Sequence, residues 1–407
     1  MARLRAADRA GHVSRGGVRD GRRVALVSDW YLPRRGGIEL QLRDLAARLA
    51  AAGHHADVIT PHPAGGADDA DDADDADDAP AVRLAVPRLP AAGVAFTPSL
   101  ATALTRALRD GRYDVVHCHA SVVSPAAWAG AWAARRLGLP CVVTFHSVLR
   151  VTQAALAAAE RAAGWSRWPL VLSGVSALVA AQLRRAVPAA RVTVLPNGVD
   201  VAWWGEAARA GGAGRGPRVV AAMRLAPKKC PEVLVDVAER LAAVAAARGT
   251  PAPRVVVAGD GPARARVERL ARRRGVADVV EFLGWVSRER LRALYADADC
   301  FVLPTVHEAF GIAALEARAA GVPVVARRGT GVEDFVRDGH DGVLAASPEE
   351  VAAAVARVVS DDGLRACLTA RSRAAPPEAF DWERVVARHE EAYAAADGAT
   401  GSRTHSP

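Results

Sequence analysis

The sequence predicts an α/β protein of two domains, each a parallel sheet of Rossmann type with helices on both faces. Three observations carry that expectation. With 407 residues the chain is long enough for two full cores. Short Val-rich runs bounded by turn residues alternate with Ala-rich amphipathic stretches, the pattern of βα units. The alternation stops at a Gly- and Ala-rich stretch, residues 205–217, and then starts again. In such sheets ligands sit beyond the carboxyl ends of the strands.

The division that follows has a disordered leader at 1–21, a first domain at 22–200 and a linker at 201–217. The second domain covers 218–376, a closing helix at 377–397 crosses back to the first domain, and 398–407 is a disordered tail. Net charge is +8, with Arg far outnumbering Lys. That excess favours phosphate-bearing substrates or an anionic membrane surface over nucleic acid, since no basic stretch is interleaved with aromatics. The five cysteines are scattered without CxxC spacing and read as small buried residues of a reducing compartment. With no signal peptide and no long uncharged apolar span, the expected location is the cytoplasm.

In the first domain RRVALVSD (22–29) is a buried strand, and the loop after it, WYLPRRGGIE, leads into a helix from about Gly37 to Ala52. The pair Gly36-Gly37 lets backbone lie against a phosphate or sugar. DVIT (57–60) is a strand running into GGADDADDADDADDAP, whose Asp-x-Asp look-alikes belong to a solvated acidic insertion (65–80) without fixed metal geometry. AVRLAVP (81–87) is a strand and 98–110 a helix. YDVVHCHAS (113–121) ends a strand on His117 and His119, which share a face; a metal pair would need a third ligand, which is not nearby. Helix 124–137 precedes PCVVTFHS (140–147), a strand ending at His146. Residues 150–170 read as helical through WSRWPLVL, where Trp165 and Trp168 suit either a membrane interface or core packing. Strand and helix follow at 171–187, then RVTVLPNGVD (191–200).

The second domain opens with RVVAAMRLAPKKCPEVLVD, a strand and a loop that sets Arg224 and Lys229 five apart. RVVVAGDGP (254–262) places Gly259 in a Gly-Asp-Gly turn at a helix entrance, and VVEFLGWVS (279–287) ends a strand on Trp285 and Val286. Asp297 and Asp299 read as a helix-end cap. The stretch that organises the chain is LPTVHEAFGIAALEARAAGVPVV (303–325). Glu308 lies on the loop after a strand, Phe310-Gly311 opens a helix, and Glu316 sits about one turn inside it. The free N–H groups at that helix start suit a diphosphate. A carboxylate one turn on can accept two hydrogen bonds from ribose, and one before the helix can meet sugar hydroxyls.

Together GGIE, HCH, TFH, LPNGVD, RLAPKK, GDGP and HEAFGIAALEA resemble glycosyltransferase family 4, the retaining GT-B enzymes with an E-x7-E signature, over about residues 22–397. The resemblance implies the GT-B fold, two Rossmann-like domains facing across a cleft, and metal-free transfer from a GDP- or UDP-linked sugar. It implies that Arg224 and Lys229 neutralise the diphosphate and that Glu308 positions the donor sugar. His119 then stands near the reacting centre, His146 on the acceptor side, and Trp285-Val286 beside the base. Gly36, Gly37, Gly259, Phe310, Gly311 and Glu316 complete the donor contacts. No metal and no separate cofactor are implied. Two features depart from the family: Cys230 stands where Gly is usual, and Asp334 where Glu is usual. The acceptor is left open, with a lipid-linked one and peripheral membrane contact suggested by the basic surface. No GxGxxG, GxxxxGK[ST] or GxSxG motif is complete. The remaining alternatives are a non-catalytic nucleotide-sugar sensor and a phosphorylase, which would need a pyridoxal-binding lysine.

Overall fold

The computed structural model describes residues 21–34, 36–64, 81–87, 95, 97–121, 123–150, 152–206 and 216–401. The expectations for the leader, the acidic insertion and most of the linker and tail fall outside these residues. Two parallel sheets account for the architecture. In the first, β1 (Arg23–Ser28), β2 (His55–Thr60), β3 (Ala81–Arg83), β4 (Val115–Ala120), β5 (Cys141–Phe145), β6 (Leu170–Gly174) and β7 (Val192–Val194) lie in the order β3-β2-β1-β4-β5-β6-β7. In the second, β8 (Arg218–Ala222), β9 (Arg254–Ala258), β10 (Val280–Gly284), β11 (Cys300–Leu303), β12 (Val324–Arg327) and β13 (Gly342–Ala345) lie in the order β10-β9-β8-β11-β12-β13.

Each order reverses once among these strands, between β1 and β4 in the first sheet and between β8 and β11 in the second. Neighbouring loops leave in opposite directions at such a point and open a crevice at the strand ends. The register sets Ser28 beside His119 at the first crevice, and in the second sheet pairs the amino-terminal half of β11, Cys300 and Phe301, with Val219 and Val220 of β8. Strands buried on both faces need continuous apolar runs. Val24 to Val27 of β1 and Val219 to Ala221 of β8 are fully buried, as that requires.

The helices follow the loops: α1 (Gly37–Ala51), α2 (Pro98–Asp110), α3 (Pro125–Leu137), α4 (Gln153–Ala163), α5 (Ala177–Ala186) and α6 (Val201–Gly205) in the first half. The second half carries α7 (Val233–Arg248), α8 (Arg264–Arg273), α9 (Arg288–Ala296), α10 (Ile312–Ala319), α11 (Pro348–Ser360), α12 (Asp362–Ala374) and α13 (Trp382–Gly401). α13 packs on α1, β5 and β6 of the first sheet. Its approach runs beside the outgoing chain, for Val199 donates to the Phe380 carbonyl and Val201 to Asp381. Gln41 clasps Gly198 from α1 through both its N–H and its carbonyl.

Two local expectations need correction. The helix anticipated over 150–170 spans only Gln153–Ala163, because Gly164 takes φ +62° and a short 3-10 turn follows at Trp165–Arg167. The linker begins as α6, whose Trp204 is fully buried against Tyr295, so its first residues belong to the second core.

Candidate active site

The strand ends of the second sheet carry the charged half of the site. After β11 the chain turns at Pro304 and reaches Glu308, whose Oε2 lies 2.5 Å from Lys229 Nζ on the β8 loop. Gly311 then caps α10 at φ +93°, a conformation that strains any residue with a Cβ. A Cβ there would also lie 2.9 Å from Val332 and 3.4 Å from Glu308. Gly311 thus lets the Glu308 loop fold down on the start of α10. The Phe310 ring is buried against Phe335 and Phe380, so its contribution to the cleft is backbone.

Glu316 follows a little over one turn into α10 and is 8% exposed. Among the described residues nothing donates a hydrogen bond to its carboxylate. Burial pushes its pKa up to about 7, against the pull of Arg288 and with a further push from Asp44. Burial raises the Glu39 carboxyl of α1 above the ordinary range, against the pull of Arg34 at 3.5 Å and, more weakly, of exposed Arg224 on the second domain. Gly259 at φ +127° allows the turn after β9 to lie on Met223, where a Cβ would meet the carbonyl oxygen. Trp285 is 44% exposed at the end of β10, and Ser287 caps α9.

The first sheet presents a different half. His119 Nδ1 and His146 Nε2 are 2.9 Å apart, and the His117 and His119 rings lie 4.1 Å apart between centroids. His117 is held by Tyr393 and Thr144, and His389 by the Val385 carbonyl. Burial drives all four imidazoles down, His146 to about 3 and His389 to about 4, so all are neutral near pH 7. His119 Nε2 is buried without a partner. A small cavity beside it is lined by Gln41, His146, Asn197, Trp382 and His389. Asp29, at the end of β1, accepts from the Ala126 amide at the start of α3 and is pushed by burial up to about 6.

The two halves meet at several points. Gly37 packs against Ile312, so the starts of α1 and α10 converge; a Cβ on Gly37 would lie 3.3 Å from Ile312 Cδ1. Arg288 Nη1 reaches Asp44 Oδ2 of α1 at 2.9 Å. Asp334 accepts from the Ala177 amide at the start of α5, giving the residue that replaces Glu a cross-cleft contact. The structure therefore pairs Lys229 with Glu308 and His119 with His146. Among the described residues no hydrogen bond or ion pair joins one pair to the other. The Glu39 carboxylate folds against Gly36, where a Cβ would lie 2.4 Å from Oε2.

Residues 35–203 match the family described as Glycosyltransferase Family 4, and residues 208–375 match Glycosyl transferases group 1. The D-inositol 3-phosphate glycosyltransferase of Salinispora arenicola is 33% identical over 72% of this chain and 71% of its own. Its counterpart from Streptomyces scabiei is 31% identical over 92% and 91%. The chain belongs to glycosyltransferase family 4. It is a transferase with the GT-B fold. Sucrose-phosphate synthase from Thermosynechococcus elongatus superposes at TM-score 0.72 with 22% identity, covering 93% of this chain and all 100% of the other. Anabaena HepE, solved with UDP and glucose, does so at 0.71 with 19% identity, covering 92% and 99%.

Sequence reasoning missed several residues that the structure brings to the candidate site. Arg288 and Asp44 are 244 positions apart and meet only across the cleft. His389 and Tyr393 come from α13, and their i, i+4 spacing on an otherwise apolar helix face was the available signal. Lysine rarity was a second one: the chain has only Lys228 and Lys229 among its 53 basic residues. Of the two readings of Trp165, core packing is the one seen, since that ring is buried and stacked on Trp128 at 4.0 Å. Trp168 lies under Arg135 at 4.8 Å. Among the described residues no helix is long and apolar enough to cross a membrane, and no cluster of three His, Cys, Asp or Glu is placed to hold a metal.

Proposed function

We propose that this glycosyltransferase moves a sugar from a nucleoside-diphosphate sugar to an acceptor hydroxyl, with retention at the anomeric carbon and without a metal. The observation that carries the reading is the contrast between two glutamates eight residues apart. Glu308 is tied to Lys229, and Glu316 is buried with no hydrogen-bond donor of its own. A buried carboxylate without donors requires donors from a ligand, and ribose hydroxyls at the second turn of α10 supply two. The diphosphate then lies at the start of α10, where free amides, Lys229 and Arg224 meet its charge.

As the bond to the anomeric carbon breaks, charge accumulates on the leaving diphosphate, and fixed cations and amides stabilise it there. The acceptor hydroxyl approaches from the same face and passes its proton to the leaving phosphate oxygen. Glu308 holds the donor sugar's hydroxyls and fixes the anomeric carbon. His119 and His146, neutral and locked together, offer hydrogen bonds without competing for the phosphate's charge. Movement of the domains over the donor accompanies the step.

Inositol 3-phosphate is the first acceptor to try, because the similar proteins from Salinispora and Streptomyces bear that name. The test is transfer from UDP- and GDP-sugars to a panel of polyol phosphates and lipid-linked acceptors, with and without chelator. A product anomer inverted relative to the donor, or activity abolished by the chelator, would contradict the mechanism. Transfer to none of the acceptors, together with donor binding, would favour a sensor.

A further inference from the structure

Charge is spread unevenly along the chain. Between Val115 and Arg191 there are eight arginines and a single acidic residue, Glu160, a net +7 where the whole chain carries +8. The rest of the chain is close to neutral, so arginine richness in general does not account for the excess. All eight arginines are exposed, and none pairs with a carboxylate among the described residues. Glu160 is half-buried and bonds to the Ser166 hydroxyl at 2.6 Å.

The fold gathers this charge on one side of the first domain. From β4 to β7 the strands advance one way across the sheet, and from β1 to β3 the other. Right-handed crossovers therefore put α3, α4 and α5 on the face opposite α1. These helices adjoin one another. Trp128 of α3 stacks on Trp165 just after α4, Arg135 of α3 lies over Trp168 at 4.8 Å, and Gln153 of α4 donates to the Gln182 carbonyl of α5. α4 buries none of its residues. The exposed cations of this face are Arg135, Arg136, Arg161, Arg167, Arg184 and Arg185. Trp132, 40% exposed, lies among them with Arg136 over its ring at 5.4 Å, and Val123, 57% exposed, stands just before α3.

Arginines gathered without carboxylates repel one another until an anionic partner answers them. An exposed indole ringed by arginine stems suits the boundary between headgroups and acyl chains, and anionic headgroups attract arginine. Nucleic acid fits less well, because Arg136 covers the exposed Trp132 ring and leaves no open platform for a base. We propose that the α3–α5 face of the first domain docks on a membrane surface bearing anionic lipid. The chain runs from His146 at the cleft into α4, so docking sets that side of the cleft beside the bilayer. The proposal depends on neither the donor nor the acceptor.

The test is flotation of the full chain with vesicles of phosphatidylglycerol and phosphatidylcholine in equal parts, against vesicles of phosphatidylcholine alone. The protein is expected to float with the first and not with the second. Raising salt from about 0.1 to about 1 M, which cuts the screening length from about 10 to about 3 Å, should release it. Arg135→Gln with Arg136→Gln should lower vesicle affinity roughly tenfold or more, and Trp132→Ser a few-fold. Arg184→Gln with Arg185→Gln repeats the measurement on a separate helix, so a folding defect in α3 does not decide the outcome. Arg272→Gln with Arg273→Gln, exposed on α8 of the second domain and equal in charge lost, should bind as wild type does. Failure to float with the anionic vesicles overturns the proposal, as does equal flotation with phosphatidylcholine alone. So does an equal loss in the α8 pair, or wild-type binding in both first-domain pairs. Retention of duplex DNA without vesicle binding would replace the membrane by nucleic acid.

Discussion

At the end of β4 the side chains are imidazoles, buried and neutral, His119 bonded to His146 and His117 to Tyr393 and Thr144. At the end of β11 they are two carboxylates, one tied to Lys229 and the other buried with no hydrogen-bond donor among the described residues. Both strands lie at the reversal point of their sheet, so topology offers the two ends the same crevice. The difference lies in what covers each. Over β4 and β5 lies α13, which brings His389, Tyr393 and Trp382 and excludes water. Over β11 lies the start of α10, with its free amides, and the opening toward α1. A closed polar cluster can hold a neutral hydroxyl in one place, and an open charged end can receive and release a diphosphate. On the proposed function, one fold used twice would divide acceptor-side from donor-side work by packing.

The largest test of that contrast removes the donor-side charge. Lys229→Ala is expected to lower kcat for sugar transfer by about 10²- to 10³-fold, the scale for losing one fixed group that stabilises leaving-group charge, with the far-ultraviolet spectrum unchanged. A kcat within a few-fold of wild type would place the diphosphate elsewhere. Next, Glu316→Ala should weaken UDP or GDP binding by roughly 10- to 100-fold, the scale for hydrogen bonds to a charged group, as read by calorimetry near pH 8.

On the other side, the buried histidines tie stability to pH. Their folded pKa values lie below the unfolded value near 6.5, so the unfolded chain binds more protons as pH falls through 6.5 toward about 3 to 4. Their contribution is whole above pH 6.5 and is lost progressively below it, at up to about 1.4 kcal/mol per histidine per pH unit. The midpoint of urea unfolding should drop over that window, and His389→Leu should shallow the slope. An equal slope would detach that residue from the cluster.

The smallest effect concerns the loop carrying Lys229. Cys230 adopts φ +53°, ψ +47°, the left-handed region, where a side chain costs roughly 1 kcal/mol. Cys230→Gly should therefore raise the urea midpoint slightly, by an amount equivalent to about 1 kcal/mol or less. A destabilised variant would mean that the thiol's packing outweighs the strain.

Much of this was legible before folding, for identifiable reasons. The alternation of Val-rich and Ala-rich runs is local, and so are the turns at Gly36-Gly37, Gly259 and Gly311 that mark strand ends. Glu308 and Glu316 share one loop-helix unit, so their spacing is written in consecutive residues. The pairing of Lys229 with Glu308 was not legible: the two are 79 positions apart, and local patterns place each at a strand end without showing that they touch. The four-histidine cluster was half visible, as HCH and TFH, while its other half lay hidden in a C-terminal helix. The helix over 150–170 was misjudged because Ala-rich periodicity outweighed the single stop at Gly164, and Trp165 stayed open between core and interface because stacking on Trp128 has no sequence signature.

By itself the sequence determined the two parallel sheets, the strand ends that carry the site, and the family, since each follows from short-range patterns that burial and backbone geometry enforce. Tertiary structure alone decided which carboxylate is answered and which is left waiting, which histidines are sealed, and that Arg288 meets Asp44. Those outcomes depend on desolvation and on contacts between residues hundreds of positions apart, and such contacts exist only once both domains have folded and met.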